Sequence, residues 1–441
     1  MATATALDRA AICGWYLRNR RRSRALFDSV APEAYFERPI PLRNPICFYE
    51  GHIPAFSVNT LVKRGLGRRG VDEAYEVLFE RGIDPEDESA VPGARGGWPS
   101  REEILAYGDA ADRLVFDALA NAEIEDVESP VLKHGLAAWT ILEHEPMHQE
   151  TLAYMWHRLP YAKKVRPAEV LGPVRGGEPP PAAAIRIPAG RATLGASPEE
   201  IPFGWDNEFP RLVVDVPSFS IDAHSVTNRD FLAFVEEGGY ERDELWSDEG
   251  QDWKNVHAVR HPLFWEKRGD AWIWRGQWEE VPLPPAWPVY VSHAEASAYA
   301  RWKGRRLPAE TEYHRAAFGT PEGRERSFPW GEEPPDERRG NFDFRYADPA
   351  PAGSHPAGAS AWGVHDLVGN GWEWTSTVFD GFPGFAPMAS YPNYSADFFD
   401  GRHYVLKGAS PLTAKELVRR SFRNWFRGNY PYLYAKFRCV S

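Results

Sequence analysis

The sequence predicts a chain of two unlike parts, an all-helical bundle followed by a loop-rich α+β domain. Three observations carry that prediction. Apolar residues recur at helical spacing through about residue 160. A Pro/Gly-rich stretch, Arg166-Pro-Ala-Glu-Val-Leu-Gly-Pro-Val-Arg-Gly-Gly-Glu-Pro-Pro-Pro181, then breaks the pattern and cannot continue a helix. From Ile185 onward short β-like pieces, such as Arg211-Leu-Val-Val-Asp-Val-Pro217 and Val289-Tyr-Val291, alternate with turn clusters. The boundaries read as a helical domain over 1–165, a linker over 166–184 and an α+β domain over 185–441. A length of 441 residues lets each domain bury its own core.

The elements follow in order. Leu7 to Ser29 is helical, and its arginine cluster (Arg18, Arg20, Arg21, Arg22) reads as a solvated face rather than an anion site. The segment Arg43 to Phe56 has a polar start and an aromatic body, like a helix entering a core. It carries His52, which by itself reads as a satisfied core residue. Ser100 and Glu103 form a capping box that opens a helix running to about Ala122. Val131 to Leu159 is the helix around which the first domain is organised. His144 and His148 stand four apart on it, one turn apart on one face. Two imidazoles at that separation can bind one metal ion. Glu150 could orient a ligand imidazole or itself ligate. Pro146, between the histidines, removes one helical hydrogen bond and predicts a local kink. So short a pattern also arises by chance, and the metal reading turns on a third ligand elsewhere. The core of a helical bundle is a usual place for inward-facing ligands. In the second domain, helices are expected over Ser292 to Lys303 and Ala309 to Phe318.

Composition excludes several functions. A formal charge of -12 argues against nucleic acid as the partner. Three scattered cysteines (Cys13, Cys47, Cys439) cannot build a disulfide framework or a Cys-rich zinc site, and they fit a reducing cytoplasm. No apolar run is long enough to span a bilayer, and the first residues lack a signal-peptide core. A soluble, cytoplasmic protein without a membrane partner is expected. Its oligomeric state, homo-oligomer included, stays open. The 18 tryptophans, mostly in the second half, suit a loop-rich domain knit by large side chains or a ring-lined pocket.

The second half carries five ordered motifs: Gly204-Trp-Asp-Asn-Glu-Phe-Pro-Arg211, Val226-Thr-Asn-Arg-Asp-Phe231, Trp302-Lys-Gly-Arg-Arg-Leu-Pro-Ala-Glu-Thr-Glu-Tyr313, Gly363-Val-His-Asp-Leu-Val-Gly-Asn-Gly-Trp-Glu-Trp-Thr375 and Ser421-Phe-Arg-Asn424. Together they resemble the formylglycine-generating-enzyme (sulfatase-modifying factor) domain, an elaborated C-type-lectin-like fold. The cysteine pair of that enzyme is not matched, because Cys439 is the only cysteine in this half. Formylglycine generation is therefore not expected. The first half, with His52, His144, His148 and Glu150, resembles the DinB-like four-helix bundle. Joined in this order, the two domains resemble the ergothioneine-type sulfoxide synthases over nearly the whole chain.

That resemblance implies a non-haem iron(II) oxidoreductase with His52, His144 and His148 as ligands and Glu150 as their outer partner. It implies joining of a chalcogen donor to C2 of the imidazole of hercynine, the trimethylated betaine of histidine, with oxygen as co-substrate. Three neutral imidazoles on one side of an octahedral ion leave positions open for substrate and oxygen. C2 is inert toward simple nucleophiles, so the cofactor must carry that chemistry. A quaternary ammonium donates no hydrogen bond, and aromatic faces must hold it. Trp425, Tyr394 and Phe422 are the candidates, with Asn424 for the carboxylate. The stretch Pro387 to Phe399 matches the one that carries a family tyrosine near the iron, proton donor or redox partner. Tyr391 is the first choice for that role and Tyr394 for the ring lining hercynine, although which of the two is catalytic stays open.

Departures from the family pattern concern the donor. In members that use γ-glutamylcysteine, an aspartate directly follows the Arg-Asn-Trp motif and an arginine comes four residues later. Here those places hold Phe426 and Tyr430, within Arg423-Asn-Trp-Phe-Arg-Gly-Asn-Tyr-Pro-Tyr432. Neither can pair an ammonium or a carboxylate as a charge would. Met147 replaces a usual glutamine, and Lys407-Gly-Ala-Ser410 replaces the commoner Arg-Gly-Gly-Ser. A flat, hydroxyl-bearing wall suits a neutral sugar, and the departures resemble the selenoneine synthase branch. Its substrates are hercynine, a selenosugar (a 1-seleno-N-acetylhexosamine) and oxygen. The expected substrate-binding set is Asn424, Trp425, Phe426, Tyr430, Phe422, Met147 and Arg423. Three alternatives remain at this point. One is a sulfoxide synthase using cysteine or γ-glutamylcysteine through Arg427 or Arg423. The second is a non-catalytic sugar- or betaine-binding module, and the third a zinc-dependent thiol transferase.

Overall fold

The computed structural model describes residues 7–80, 97–126 and 128–441. The chain divides into two compact units, Met1–Pro167 with Met388–Pro392, and Ala168–Pro387 with Asn393–Ser441. The first six residues, which bear on the expected lack of a leader, lie outside the described residues.

The first unit contains α1 (Arg9–Asp28), α2 (Ile46–Ser57), the short α3 (Glu73–Leu78), α4 (Arg101–Asn121) and α5 (Leu136–Arg158). Four long helices bundle, with α2 packed on α4 and α5, and α1 on the same pair. Their starts follow local chemistry. The Asp8 carboxylate accepts from Ala11 N at 3.1 Å and caps α1. Both halves of the Ser100/Glu103 capping box form at α4. Helix α5 runs on through Pro146, so one missing backbone bond does not end a helix buried along most of its length. After α2 the chain winds into a π-helical segment, Val58–Gly65, a rare geometry that often sits beside functional sites.

One expectation is corrected here. The arginine-rich face of α1 is not uniformly solvated. Arg18 and Arg21 are exposed, but Arg20 turns inward to Asp112 of α4 (3.0 Å) and Glu145 of α5 (2.8 Å). The Ser23 hydroxyl donates to the same Glu145 at 2.6 Å. A carboxylate as deeply buried as Glu145 needs such partners, and the amphipathic pattern of α1 alone does not show it.

In the second unit the Pro/Gly-rich stretch is not a free linker. Leu171 bridges to Tyr346, and Trp287 Nε1 donates to the Val174 carbonyl at 3.0 Å. Strands β1 (Ala184–Ile187), β2 (Gly190–Leu194), β3 (Leu212–Val216) and β4 (Phe219–Asp222) form two antiparallel pairs, β1 with β4 and β2 with β3. Helices α6 (Asn228–Glu236) and α7 (Asp248–Val256) precede a three-stranded meander of β5 (Trp265–Arg268), β6 (Ala271–Arg275) and β7 (Glu280–Pro282). The two expected helices appear as α8 (His293–Trp302), with a Ser292/Glu295 capping box, and α9 (Glu310–Phe318). The largest sheet takes β8 (Gly371–Val378), β9 (His403–Ala409), β10 (Asn424–Arg427) and β11 (Ala435–Lys436) in the order β10-β9-β8-β11. Glu373 of β8 is fully buried and satisfied by Lys436 at 3.2 Å and Arg438 at 2.5 Å, which ties the C-terminal strand to the sheet. No helix among the described residues is long and apolar enough to cross a membrane.

Candidate metal centre and substrate-binding residues

The third partner for the α5 histidines comes from α2. His144 and His148 bring their Nε2 atoms to 3.0 Å, and His52 Nε2 lies 3.2 Å from His148 Nε2. The three ligand nitrogens all lie within 4.8 Å of one another. Phe48 stacks on His52 at 5.2 Å. Phe56, one turn further along α2, lies flat on His144 at 3.5 Å.

A backbone carbonyl fixes the proton of His52. Its Nδ1 is 2.7 Å from the Phe79 carbonyl oxygen. A carbonyl only accepts, so Nδ1 carries the hydrogen and Nε2 keeps its lone pair toward the other two rings. Phe79 is the C-cap of α3, and its carbonyl is one that a helix end leaves without an intrahelical partner. Helix α3 is itself held by the Asp72 cap and by buried Glu76, which accepts from Val71 N at 2.6 Å and pairs with Lys63 at 3.0 Å. Gly51 is what lets Phe79 close on α2, since a Cβ there would stand 2.6 Å from the Phe79 ring.

Burial keeps all three rings neutral, the form that ligates. It lowers the His52 pKa to about 4. Burial, and then the neighbouring histidines, push His144 well below its ordinary value. His148 is pushed down by burial, then by His52 and Arg43. His148 Nδ1 is enclosed and has no hydrogen-bond partner. Two nitrogens bound to one ion at right angles, each about 2.1 Å away, stand about 3.0 Å apart. The two observed separations are close to that, and a cation among the lone pairs would relieve their mutual repulsion. The residues present fit a metal ion.

Near this triad stands Tyr391, whose segment 388–392 groups with the helical unit. Its ring is 6.3 Å from His144 and 5.2 Å from Phe56. A 2.7 Å hydrogen bond between the Ser390 and Thr140 hydroxyls ties the segment to α5. Glu150 is buried and accepts from the Tyr154 hydroxyl at 2.6 Å. Met147 precedes His148 on α5 and is partly buried.

The second unit gathers rings around Trp425 of β10. Phe379 lies parallel to it at 4.2 Å, Tyr394 edge-on at 5.1 Å and Phe398 at 5.6 Å. Trp205 stacks on Tyr394 at 4.0 Å. Strand alternation sends Asn424 and Phe426 to the face of β10 opposite Trp425. There Phe426 stacks on Tyr430 at 5.0 Å, and Tyr430 meets Tyr432 at 5.2 Å. The Asn424 side-chain Oδ1 accepts from the Trp425 backbone N–H at 2.9 Å.

Two expected substrate contacts are already engaged inside the domain. Phe422 is buried with the Arg419 guanidinium 5.1 Å over its ring, so a protein cation already occupies that face. Arg423 is 3% exposed. Its Nε and Nη2 donate to both oxygens of Glu310 at 3.0 and 3.1 Å. Its Nη1 donates to the Asn207 and Asp380 carbonyls at 3.2 and 2.9 Å. With the fork filled, Arg423 holds the entry to β10 rather than a substrate carboxylate. Lys407 completes that clamp, donating to the Arg420 and Phe422 carbonyls at 3.1 and 2.5 Å.

Sequence reasoning missed Phe79 and Gly51, because a backbone acceptor and an absent side chain carry no chemical signature. Phe56 was within reach, since it follows His52 by one helical turn and shares its face.

Two family models match this sequence. A sulfatase-modifying factor enzyme 1-like domain covers residues 174–441, and the DinB superfamily covers residues 16–152. A hercynine oxygenase of Mycolicibacterium thermoresistibile is 33% identical over 431 residues, 92% of this chain and 89% of that protein. A hercynine oxygenase of Mycobacterium tuberculosis is 32% identical over 387 residues, 82% of this chain and 86% of that protein. Ergothioneine biosynthesis protein 1 of Neurospora crassa is 30% identical over 494 residues, 92% of this chain but 55% of that longer protein.

Proposed function

We propose a reaction for this chain, which belongs to the ergothioneine-type sulfoxide synthase family: oxidative formation of a carbon–selenium bond at C2 of the hercynine imidazole. The donor is a selenosugar, oxygen is the oxidant, the C2 hydrogen leaves as a proton, and selenoneine is the product after the selenium–sugar bond breaks and the oxidised sugar fragment is lost. The observation that carries the oxidative reading is the convergence of three Nε2 atoms, with the His52 proton held on the opposite nitrogen.

His52, His144 and His148 would hold ferrous iron, which when bound supplies the oxygen activation that C2 of an imidazole requires. The remaining roles fall to the chain's own groups. The Tyr391 phenol, beside His144, is assigned to give or take the proton that the reaction moves. Glu150, fixed by Tyr154, is assigned as an outer partner of the ligand helix. Hercynine offers no N–H at its trimethylammonium, so Trp425 and Tyr394 are assigned to that group and Asn424 to the carboxylate. The half-buried Phe426, backed by the buried Tyr430 ring, offers an uncharged face suited to a sugar ring and ill suited to a zwitterion. Met147 leaves the position before His148 without the amide donor usual there. The free thiols of Cys13, Cys47 and Cys439 support a reducing cytoplasm.

A sulfur reading rests on the relatives named above, with cysteine or γ-glutamylcysteine as donor. Because Glu310 holds Arg423, that reading leaves Arg427 as the cationic contact. A competition assay separates the two. Anaerobically iron-loaded protein is offered hercynine with selenosugar, thiosugar, cysteine and γ-glutamylcysteine, then oxygen, and products are identified by mass. The expected result is selenoneine with matching oxygen uptake. Preferred use of cysteine or γ-glutamylcysteine overturns the donor assignment. Sugar binding without oxygen uptake, or retention of zinc in place of iron, overturns the oxidative reading itself.

A further inference from the structure

Arg315, in the last turn of α9, is 6% exposed, yet its guanidinium has no carboxylate partner among the described residues. Its one hydrogen bond runs from Nε to the Pro188 carbonyl at 3.3 Å, and it lies 5.2 Å from the Trp362 ring centroid. Arg423, by contrast, makes four hydrogen bonds through all three of its guanidinium nitrogens. The Arg315 guanidinium faces a groove rather than a protein anion, which leaves its remaining N–H donors to solvent or to a ligand.

Two glycines make the berth that holds it. A Cβ at Gly190 would stand 2.6 Å from the Arg315 Cζ and Nη2, and one at Gly319 would stand 2.7 Å from Nη1. The guanidinium lies in the wall of a groove of roughly 660 Å³, together with Arg191, Arg211, Thr193, Trp362 and Glu325. Arg191 and Arg211 are exposed at its rim. The nearby acids offset this set only in part. Glu325 accepts from Thr193 N at 2.7 Å and pairs with Arg420 at 3.4 Å. Glu200 reaches only Arg211, at 3.6 Å. Asp215 stands opposite Arg191 in the β2–β3 ladder without an ion pair to it.

We infer that this groove binds a phosphate-bearing small metabolite, with Arg315 gripping the phosphate and Arg191 and Arg211 closing over it from the rim. Arginine presents paired N–H donors that match two phosphate oxygens, and a dianion supplies the charge that Arg315 lacks. The groove exceeds a bare phosphate and lies within the range of small-molecule sites. Trp362 offers a ring for a sugar or base to lie against.

Calorimetric titration of the full-length protein at fixed ionic strength tests this, with inorganic phosphate, glucose 6-phosphate and uncharged glucose as probes. Glucose 6-phosphate should bind saturably with a Kd below about 1 mM, and glucose should not bind. Tighter binding of the ester than of inorganic phosphate assigns part of the contact to Trp362. Equal binding makes free phosphate the ligand, and either result supports the phosphate grip. Arg315→Gln should weaken binding about tenfold or more, with an unliganded Tm equal to or above that of the parent. Gly190→Ala displaces the far end of a flexible side chain and should weaken binding without unfolding the domain. Absence of saturable binding up to about 10 mM overturns the inference. So does parent-like affinity in both variants, or a fall in Tm for Arg315→Gln, which would make its role structural.

Discussion

His52 and His148 are 96 positions apart and meet at 3.2 Å, whereas Trp425 and Phe426 are consecutive and face opposite sides of β10. The difference lies in what sets each distance. Within one element, backbone geometry alone decides which residues share a face. Between elements, packing decides, and in the helical unit it brings α2 against α5 so that three imidazoles share one point. The motif Arg-Asn-Trp-Phe is compact in sequence and split in space, while the metal triad is scattered in sequence and compact in space.

The strongest way to break this comparison is to remove one member of the triad. His148→Ala should lose bound iron and turnover together, measured as metal per chain and as product. Retained turnover would end the metal assignment. Next in size is Tyr391→Phe, which should lower kcat by about 10²-fold or change the product while leaving the hercynine KM within about twofold. Loss of the folded circular-dichroism signal would instead make this tyrosine structural. Gly51→Ala should push the Phe79 ring away and free the His52 Nδ1 proton, weakening metal binding by about tenfold. Competition titration reads the affinity, and nitrogen-15 NMR of the metal-free protein reads the tautomer. An unchanged tautomer would show that Phe79 does not set it. The smallest effects belong to the split face of β10. Trp425→Ala should raise the hercynine KM by about fivefold without altering donor preference. Phe426→Asp should shift donor preference away from the selenosugar with hercynine KM unmoved, and equal shifts in both quantities would mean that the two faces act as one.

Much of the fold was legible because its signals are local. The capping box of α4 and the start of α1 follow from side chains within one turn of the helix end, whereas α5, which has no side-chain cap, starts at Leu136 rather than at the expected Val131. The pairing of His144 with His148 was legible because it too is local. His52 was not, since a lone histidine among apolar residues says nothing of its partners, and only resemblance to a family singled it out. The inward turn of Arg20 and the engagement of Arg423 by Glu310 both depend on contacts across long stretches of chain. The Pro/Gly-rich stretch misled in another way. Its composition forbids a helix but does not forbid packing, and Leu171 and Val174 lie against the second unit.

The most direct test concerns the ligand drawn from the other helix. Ferrous iron is titrated anaerobically into the parent protein and into His52→Ala, unbound metal is removed and the metal retained per chain is measured. The parent should hold about one iron and His52→Ala less than about a tenth of that, with the helical signal of both unchanged. Equal iron in the two proteins would contradict a centre shared between α2 and α5.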